Sequence, residues 1–441
     1  MRPMMIARML PWIGGVATLL LALVFRSPLF LPWRAIAMVW LSTATCIVVG
    51  GFIARLRRRH QRLSGGAILL WLTGCLIAAG QQGGHLWHKH AVLSAQDEVA
   101  RRLGAHLVVG YTDLAMVTTL AERGLIGGIF VGAHNVRGRD RNAIRAEIDG
   151  LQAARAKQGL PPLIVTTDQE GGIVSRVSPP LARLPSLAET IADAPLAKIP
   201  ALSFAYGQRQ GRELAALGIN VNLAPLADLS SPDQYQRFDF RSLIGRRAID
   251  DDPERVQRAI VAYAHGVETQ GLRATLKHFP GLGRVRGDTH IVPASLSDAP
   301  ETLEQRDWRP FRAGLRQTGA LMMIGHATLS AVDPDKPASL SHRVVQQIVR
   351  DGWQHDGILI TDDLSMGAVA RHGLCSAGVD AVGASIDLLL VSYDIEQYFT
   401  VLHCLMNALR DGNVDRALLE TSDRRLERLG GTLGKPPERT L

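Results

Sequence analysis

One loop-like stretch of the chain concentrates side chains that could act as acids or bases. Residues 277–290 read KHFPGLGRVRGDTH, with Lys277 and His278 before a Pro–Gly break and Asp288 and His290 after it. A carboxylate two residues from a histidine can orient the imidazole and stabilise its protonated form. This spacing is suited to general acid–base catalysis.

A second stretch, ITDDLSMGA at 360–368, ends an apolar run with two adjacent carboxylates. Either Asp362 or Asp363 could act as a nucleophile. Adjacent residues of a strand point to opposite faces, so one of the two would face a site and the other would not. The residues alone leave that choice open.

Two further stretches offer groups that bind polar ligands. TDQEGG at 167–172 contains Asp168 and is followed by Arg176, and IGRRAIDDDP at 244–253 contains two adjacent arginines, the second of which is Arg247. Neutral polyols such as sugars are bound by Asp, Arg, Lys and His side chains through paired hydrogen bonds. These two stretches therefore offer groups that are suited to binding a polyol.

The elements that must position these groups form a regular series between residues 95 and 431. Short apolar, β-branched runs alternate with longer amphipathic stretches, which is the pattern of a parallel sheet with crossover helices. Eight such runs predict an α/β fold, a single (β/α)₈ TIM-type barrel. The runs are AHLVVGY (105–111), GGIFVG (127–132), PLIVTTD (162–168), NVNLAPL (220–226), ATLKHFP (274–280), ALMMIGH (320–326), GILITDD (357–363) and IDLLLVS (386–392).

Several of these runs change from apolar to ionisable residues where they end. In a barrel of this kind the carboxyl ends of the strands form the active-site face, so these side chains should meet there. The residues concerned are Asp168, Lys277, His278, His326, Asp362 and Asp363.

The motifs together resemble glycoside hydrolase family 3 β-N-acetylhexosaminidases of the NagZ type. The resemblance covers roughly residues 105–392, in the same order. It rests on LIGGIFVGAHN, DQEGG, APLADL, IGRRAIDDDP, KHFPGLG with DTH, GHATLSAVDPDKPASLS and DDLSMGA.

The resemblance implies a role for each matching position. Asp362 corresponds to the nucleophile, which forms a covalent glycosyl-enzyme and gives net retention. His290, paired with Asp288, corresponds to the acid/base. His326 is a secondary candidate. The positions implied to bind the N-acetylglucosamine unit are Asp168, Arg176, Arg247, Lys277 and His278.

The chain departs from the family pattern at two positions. Leu282 stands where a histidine is common, and Ile173 stands where an arginine is frequent. Leu282 should alter how its loop docks, and Ile173 should alter contacts at the pocket edge. Arg246, Arg284 and Arg286 are interpreted as surface charges, with the two loop arginines as alternative contacts to an acidic group of a larger substrate.

The N-terminal part of the chain resembles a membrane anchor. Residues 9–25 and 35–54 are long uncharged apolar runs, and residues 66–80 form a third run that is short. The basic segment 55–62 between the second and third runs should lie in the cytoplasm. Three spans, which we favour over two, place the following domain outside the cytoplasmic membrane, in the periplasm. Two spans would keep it in the cytoplasm.

The charge distribution agrees with this division. Ten of the 49 Lys and Arg residues and none of the 41 Asp and Glu residues precede Asp97, so the rest of the chain is close to neutral. A body of this charge gives no indication of nucleic-acid binding. The four cysteines show no metal-binding spacing, and we expect free thiols.

The domains expected are a membrane anchor at 1–90 with two to three transmembrane helices, a catalytic barrel at 95–431 and a polar tail at 432–441.

The function expected is hydrolysis of terminal β-linked N-acetylglucosamine from peptidoglycan fragments such as muropeptides, with no metal and no cofactor. Three alternatives stay open: a β-glucosidase, which would need a second domain to supply its acid/base; a phosphorylase, since a histidine does not repel phosphate; and a silent wall-glycan-binding protein.

Overall fold

The computed structural model of the chain describes residues 2–57, 65–231, 241–285 and 287–436. It divides into two compact units, Met1–Ser94 and Ala95–Leu441. Arg286, most of the basic segment 55–62 and the end of the polar tail lie outside the described residues.

The N-terminal unit contains three long helices, α1 (Arg2–Val24), α2 (Arg34–Arg57) and α3 (Gly65–Ser94), with a 3₁₀ helix at Pro28–Trp33. By length and composition, two segments could cross a bilayer, Phe30–Ile47 and Gly66–Ser94, whereas the apolar segment Pro11–Val24 is shorter. The third apolar run is therefore part of a much longer helix than its sequence indicated. The number of spans stays a prediction.

Small residues let α1 and α3 approach closely. A Cβ on Gly14 would lie 2.3 Å from the Trp71 ring, and one on Gly74 would lie 3.0 Å from the Leu19 nitrogen. The Trp71 indole also donates a hydrogen bond of 2.7 Å to the Pro11 carbonyl. Packing through glycine is a common way for apolar helices to associate.

The second unit contains a closed barrel of eight parallel strands, which confirms the predicted fold class. Each strand pairs with its neighbours in chain order, and the first pairs with the last. The strands are β1 (Leu107–Gly110), β2 (Gly128–Phe130), β3 (Ile164–Thr167), β4 (Val221–Asn222), β5 (Arg273–Phe279), β6 (Leu321–Ile324), β7 (Leu359–Asp363) and β8 (Leu388–Val391).

Side chains from seven of the strands fill the barrel. Val108, Phe130 and Ile164 belong to this cluster, as do the alternate residues Leu321 and Met323 of β6. The residues between them, such as Met322, are buried as well. Strands buried on both faces read as continuous apolar runs, which is why the sequence pattern located them.

Several helices around the barrel are amphipathic and begin at an aspartate cap. Asp140 accepts a hydrogen bond from the Ala143 nitrogen at the start of Arg141–Ala156, and Asp252 caps Pro253–Glu268 similarly. The α-helices are Glu98–Gly104, Leu114–Glu122, Ala133–Val136, Arg141–Ala156, Leu187–Ile191, Ile199–Leu217, Ile244–Arg247, Pro253–Glu268, Pro300–Gln305, Arg309–Gln317, Gly367–Ala370, Leu374–Gly383, Gln397–Arg410 and Arg416–Thr432, with a 3₁₀ helix at Ala338–Leu340 and a π-helix at Arg343–Gly352.

Two short sheets lie outside the barrel. Gln169–Gly171 pairs antiparallel with Val174–Ser175 directly after β3, and Ser295–Leu296 pairs with Thr328–Leu329. The first of these shapes the loop that carries the DQEGG motif, so it fixes where that loop's acidic side chains lie.

The expectation of free thiols is wrong for two of the four cysteines. A disulfide joins Cys375 to Cys404, which lie on the neighbouring helices Leu374–Gly383 and Gln397–Arg410. Cys46 and Cys75 are free thiols. Residues 29 positions apart were brought together by helix packing, which the spacing of the cysteines did not reveal.

Candidate active site

The carboxyl ends of β3 and β5 meet in a buried cluster of charges. The Lys277 ammonium lies 2.7 Å from Asp168 Oδ1 and 2.7 Å from Glu170 Oε1. Arg247 binds Glu170 with two hydrogen bonds, Nε to Oε2 at 2.9 Å and Nη2 to Oε1 at 2.5 Å, and donates a third to the Ser242 carbonyl. Three predicted site residues are thus brought together around Glu170.

Glu170 is the residue of this cluster that sequence reasoning missed. Burial alone would raise its pKa, but the charges of Arg247 and Lys277 outweigh burial and lower it to about 2. Glu170 is therefore ionised at neutral pH and holds both cations in place. Its position in the DQEGG motif was a signal, but nothing in the sequence paired it with residues about 77 and 107 positions away.

Asp228, which holds His278, is another residue that the sequence prediction did not include. The buried carboxylate of Asp228 accepts hydrogen bonds from the His278 backbone nitrogen at 3.0 Å and lies 2.8 Å from its ring Nδ1. Its other oxygen accepts a hydrogen bond of 2.7 Å from the Leu282 nitrogen. Asp228 thus orients a predicted binding residue and anchors the start of the following loop.

The far end of that loop contains the Asp288–His290 pair. Asp288 Oδ1 lies 2.9 Å from His290 Nδ1 and accepts the His290 backbone N–H at 3.0 Å, and Oδ2 accepts the Arg241 N–H at 2.6 Å. Burial would raise the pKa of Asp288, but these hydrogen bonds lower it to about 2. The carboxylate is therefore charged, and Nδ1–H donates to it, which leaves Nε2 as the second functional nitrogen.

Backbone hydrogen bonds dock this loop on the turn that follows β7. The Gly367 nitrogen donates to the His290 carbonyl at 3.0 Å, and the Ala368 nitrogen donates to the Thr289 carbonyl at 3.1 Å. A Cβ on Gly367 would lie 2.2 Å from the Ile291 carbonyl oxygen. A side chain at position 367 would therefore push the Asp288–His290 loop away from the end of β7.

Replacement of Gly367 by Ala is expected to displace the Asp288–His290 loop. Misplacing a catalytic group by about 1 Å can cost about 100-fold in rate, so kcat should fall roughly 10- to 100-fold with a smaller change in KM. Steady-state kinetics on a chromogenic glycoside checks this. Gly383→Ala is the matched control, since a Cβ there meets nothing within 4 Å. Equal kinetics for the two variants would contradict the docking role of Gly367.

The two carboxylates at the end of β7 have different surroundings. Asp363 accepts hydrogen bonds from the backbone nitrogens of Ser365, Ser392 and Tyr393 at 2.8, 2.8 and 2.7 Å, and from both serine hydroxyls. Its two oxygens are occupied in joining the β7 and β8 turns. Asp362 accepts one hydrogen bond, from the Asp363 nitrogen at 2.8 Å, among the described residues.

Three histidines surround Asp362. Burial would raise its pKa, but the charges of His278, His326 and His290, in that order, and the Asp363 backbone N–H lower it overall. Asp362 is therefore a carboxylate at neutral pH, in the form that a nucleophile requires. The loop from β5 and the end of β7 thus converge on one carboxylate.

His326, the secondary candidate, is fully enclosed. Its Nε2 donates to the Asp363 carbonyl at 2.9 Å, and its Nδ1 lies 2.7 Å from the Ser339 hydroxyl. Burial lowers its pKa, outweighing the nearby carboxylates of Asp362 and Asp363, which raise it. These contacts make His326 a support for the strand end that carries Asp362.

Arg176 is the predicted binding residue that the structure does not join to the cluster. It is exposed, and no ion pair or side-chain hydrogen bond links it to the other predicted site residues in the described chain. It follows the short strand Val174–Ser175. Its backbone nitrogen bonds to the Asp168 carbonyl at 3.1 Å, which keeps it beside the cluster.

The two departures from the family pattern occupy different surroundings. Leu282 is buried. Ile173 is 39% exposed and lines a cavity of about 110 Å³ beside Glu170 and Arg247, which Arg246 also borders. The expectation that Ile173 alters the pocket edge is consistent with this position.

Arg284, interpreted as a surface charge, is partly exposed, with 28% of its side chain accessible. It pairs with Asp298 at 2.9 Å and with Asp307 at 3.2 Å, two carboxylates that follow the loop in the chain. Within the described part of the chain, no group of three His, Cys, Asp or Glu side chains is arranged to hold a metal ion.

Comparisons with known proteins show the family to which the chain belongs. The family described as "Glycosyl hydrolase family 3 N terminal domain" matches residues 101–429. A protein named Beta-hexosaminidase from Xanthomonas oryzae pv. oryzae is 34% identical over 253 residues, which is 56% of this chain and 73% of that protein.

Solved structures are similar as well. A β-N-acetylhexosaminidase from Beutenbergia cavernae superimposes with a TM-score of 0.68 at 28% identity, over 76% of this chain and 99% of that one. A family 3 β-N-acetylglucosaminidase from Paenibacillus gives a TM-score of 0.68 at 28% identity, over 76% of this chain and 62% of that one. The family model spans most of the chain, and the barrel carries the family's motifs at its strand ends. The chain therefore belongs to glycosyl hydrolase family 3 and is a glycoside hydrolase.

Proposed function

We propose that the protein is a membrane-anchored, retaining β-N-acetylglucosaminidase that removes terminal β-linked N-acetylglucosamine from peptidoglycan fragments. The observation that carries the proposal is the convergence of a charged carboxylate, Asp362, and an Asp288-oriented imidazole, His290, at the carboxyl end of the barrel. The names of the similar proteins support the choice of an N-acetylhexosamine as the sugar.

In the proposed reaction Asp362 attacks the anomeric carbon and forms a glycosyl-enzyme ester, while His290 gives a proton to the leaving glycosidic oxygen. His290 then accepts a proton from the water that attacks the ester. Asp288 stays ionised throughout and stabilises the imidazolium. Two displacements at one carbon return the original β configuration.

The sugar would be bound by side chains that the barrel holds beside Asp362. Asp168 is partly exposed, with 23% of its side chain accessible, and is the member of the charge cluster best placed to accept hydrogen bonds from sugar hydroxyls. Lys277 and Arg247 are almost fully buried and keep Asp168 and Glu170 oriented. His278, fixed by Asp228, and the exposed Arg176 complete the proposed binding set.

The stereochemical course tests this function. The purified chain is mixed with an aryl β-N-acetylglucosaminide, and the first product is followed by ¹H NMR before mutarotation. Appearance of the β anomer first supports retention, and appearance of the α anomer first would exclude the mechanism. Repeating the reaction with added phosphate separates hydrolysis from phosphorolysis, and binding without turnover would identify the silent alternative.

We also propose that the catalytic unit lies outside the cytoplasmic membrane. Large apolar side chains on α2 and α3 face outward, such as Val39 at 68% and Leu76 at 71% exposure, which suits contact with lipid. The Cys375–Cys404 disulfide supports an oxidising compartment, because cytosolic thiols are kept reduced. Three spans, with the basic segment 55–62 in the cytoplasm, are compatible with the exposed apolar side chains and with the disulfide.

A C-terminal alkaline phosphatase fusion is therefore expected to be active and a C-terminal green fluorescent protein fusion dark. In the denatured, unreduced protein, Cys46 and Cys75 should react with an alkylating reagent, whereas Cys375 and Cys404 should react only after reduction. Mass spectrometry of the labelled peptides reports this. A fluorescent C-terminal fusion together with four reactive cysteines would overturn the proposed placement.

A further inference from the structure

A second cavity lies at the end of the barrel opposite the candidate active site. It has a volume of about 440 Å³ and is bordered by Arg273 and Leu321, the first residues of β5 and β6, and by Ile358 just before β7. Lys277 is four residues further along β5 than Arg273, which separates the two sites by about 13 Å along the strand at roughly 3.3 Å per residue. The cavity is therefore distinct from the catalytic face.

Arginine dominates the lining of this cavity. Five arginines and a single acidic residue, Asp356, border it within the described chain. The arginines are Arg273, Arg312, Arg316, Arg425 and Arg428. A volume of this size lies within the range of small-molecule sites, and clustered guanidinium groups favour an anion.

Asp356 does not neutralise the arginines beside it. It pairs with Arg425 at 2.7 Å and with Arg428 at 2.6 Å, so one carboxylate is shared by two guanidinium groups. Arg425 also contacts Asp387 at 3.3 Å, but that buried carboxylate already pairs with Arg350 at 2.6 Å.

The arginines on the other side of the cavity have fewer counter-charges. Arg312 pairs with Glu304 at 2.6 Å, whereas Arg273 lies 3.9 Å from Glu268, at the limit of an ion pair. Arg316 is exposed and forms no ion pair with the described residues. Positive charge is therefore in excess on the wall that Arg273 and Arg316 form.

The cavity also offers an aromatic wall. Trp353 lines it, with the Arg312 guanidinium 5.7 Å from its ring centroid.

We propose that this cavity binds a small organic anion, whose phosphate or carboxylate group pairs with Arg273 and Arg316 and whose body packs against Trp353. Guanidinium groups bind both anions through paired hydrogen bonds, and the flat indole favours a ligand with a planar or apolar body. Nothing in the proposed glycosidase reaction uses this site, so the ligand is a second one.

Calorimetric titration of the full chain in a neutral detergent tests the proposal. The probes are phenyl phosphate, inorganic phosphate and citrate, with glucose as a neutral comparison. Saturable binding of at least one anion at near-physiological salt is expected, and the contrast between the phosphates and citrate identifies the preferred group. Arg316→Glu and Arg428→Glu, each exposed, should weaken binding by about tenfold or more.

The matched control is Arg209→Glu, which makes the same change of charge at a position 62% exposed and paired only at 3.8 Å with Glu213. It should leave the affinity unchanged. An equal loss in all three variants would show general electrostatic attraction and overturn the proposal. Binding of no probe, or binding that survives both Arg316→Glu and Arg428→Glu, would overturn it as well.

Discussion

Replacement of Asp362 by Asn is expected to lower kcat for aryl β-N-acetylglucosaminides by on the order of 10⁴- to 10⁶-fold. An amide cannot attack the anomeric carbon, and the covalent intermediate then does not form. The fold should be retained, because Asp362 accepts a single hydrogen bond in the described structure, from the Asp363 backbone, which an amide oxygen can also accept. Steady-state kinetics and the melting temperature of the variant measure the two effects.

The role of Asp362 as the nucleophile is tested by adding azide to a variant that lacks its carboxylate. Asp362→Ala leaves space beside the anomeric carbon, so azide should restore turnover and give an α-glycosyl azide, the product of one displacement. Asp363→Asn is the comparison. Its carboxylate accepts five hydrogen bonds, and this change should lower the melting temperature more than Asp362→Asn does. Wild-type turnover by Asp362→Asn would exclude Asp362 as the nucleophile.

Replacement of His290 by Ala is expected to slow hydrolysis by about 10²- to 10⁴-fold for substrates with poor leaving groups. Those substrates need a proton on the glycosidic oxygen as the bond breaks. A dinitrophenyl glycoside does not, so its first step should stay fast and the glycosyl-enzyme should accumulate. A burst of dinitrophenolate followed by slow turnover in stopped-flow measurements reports this.

Azide provides the complementary observation for this variant. It needs no general base, so it should accelerate turnover of His290→Ala and give a β-glycosyl azide by reaction with the accumulated intermediate. Asp288→Asn keeps an oxygen acceptor for Nδ1–H but removes the charge, so we expect the same pattern with a smaller loss. If His290→Ala slowed good and poor leaving groups equally, the acid/base role would be contradicted.

The barrel and the positions of the ionisable side chains at its strand ends were predictable because they depend on local patterns. Strands buried on both faces are continuous apolar runs. Seven of the eight runs contain their whole strand, and β5 begins one residue before its run. Ionisable residues where those runs end, such as Lys277 and Asp362, fall on one face of a barrel whatever the loops do. The order of the motifs also indicated the family, which the comparison of the whole chain confirmed.

The choice between Asp362 and Asp363 could not be made from the residues. Alternation along a strand says that they face opposite ways, but not which of them meets the site. In the structure the nitrogens of Ser392 and Tyr393, contributed by β8 and its turn, bind Asp363. That contact leaves Asp362 beside the three histidines.

Tertiary structure alone decided the partners that hold the site together. Glu170 pairs with both Lys277 and Arg247. Asp228 binds the His278 ring, and the Gly367 nitrogen donates a hydrogen bond to the His290 carbonyl. The Cys375–Cys404 disulfide is likewise a contact that only the folded structure reveals. Sequence by itself determined the strands, the strand-end chemistry and the family, because these follow from periodicity and local motifs. The partners depend on how loops from different strands cross the rim of the barrel, and that path is set by packing between segments that are far apart in the chain.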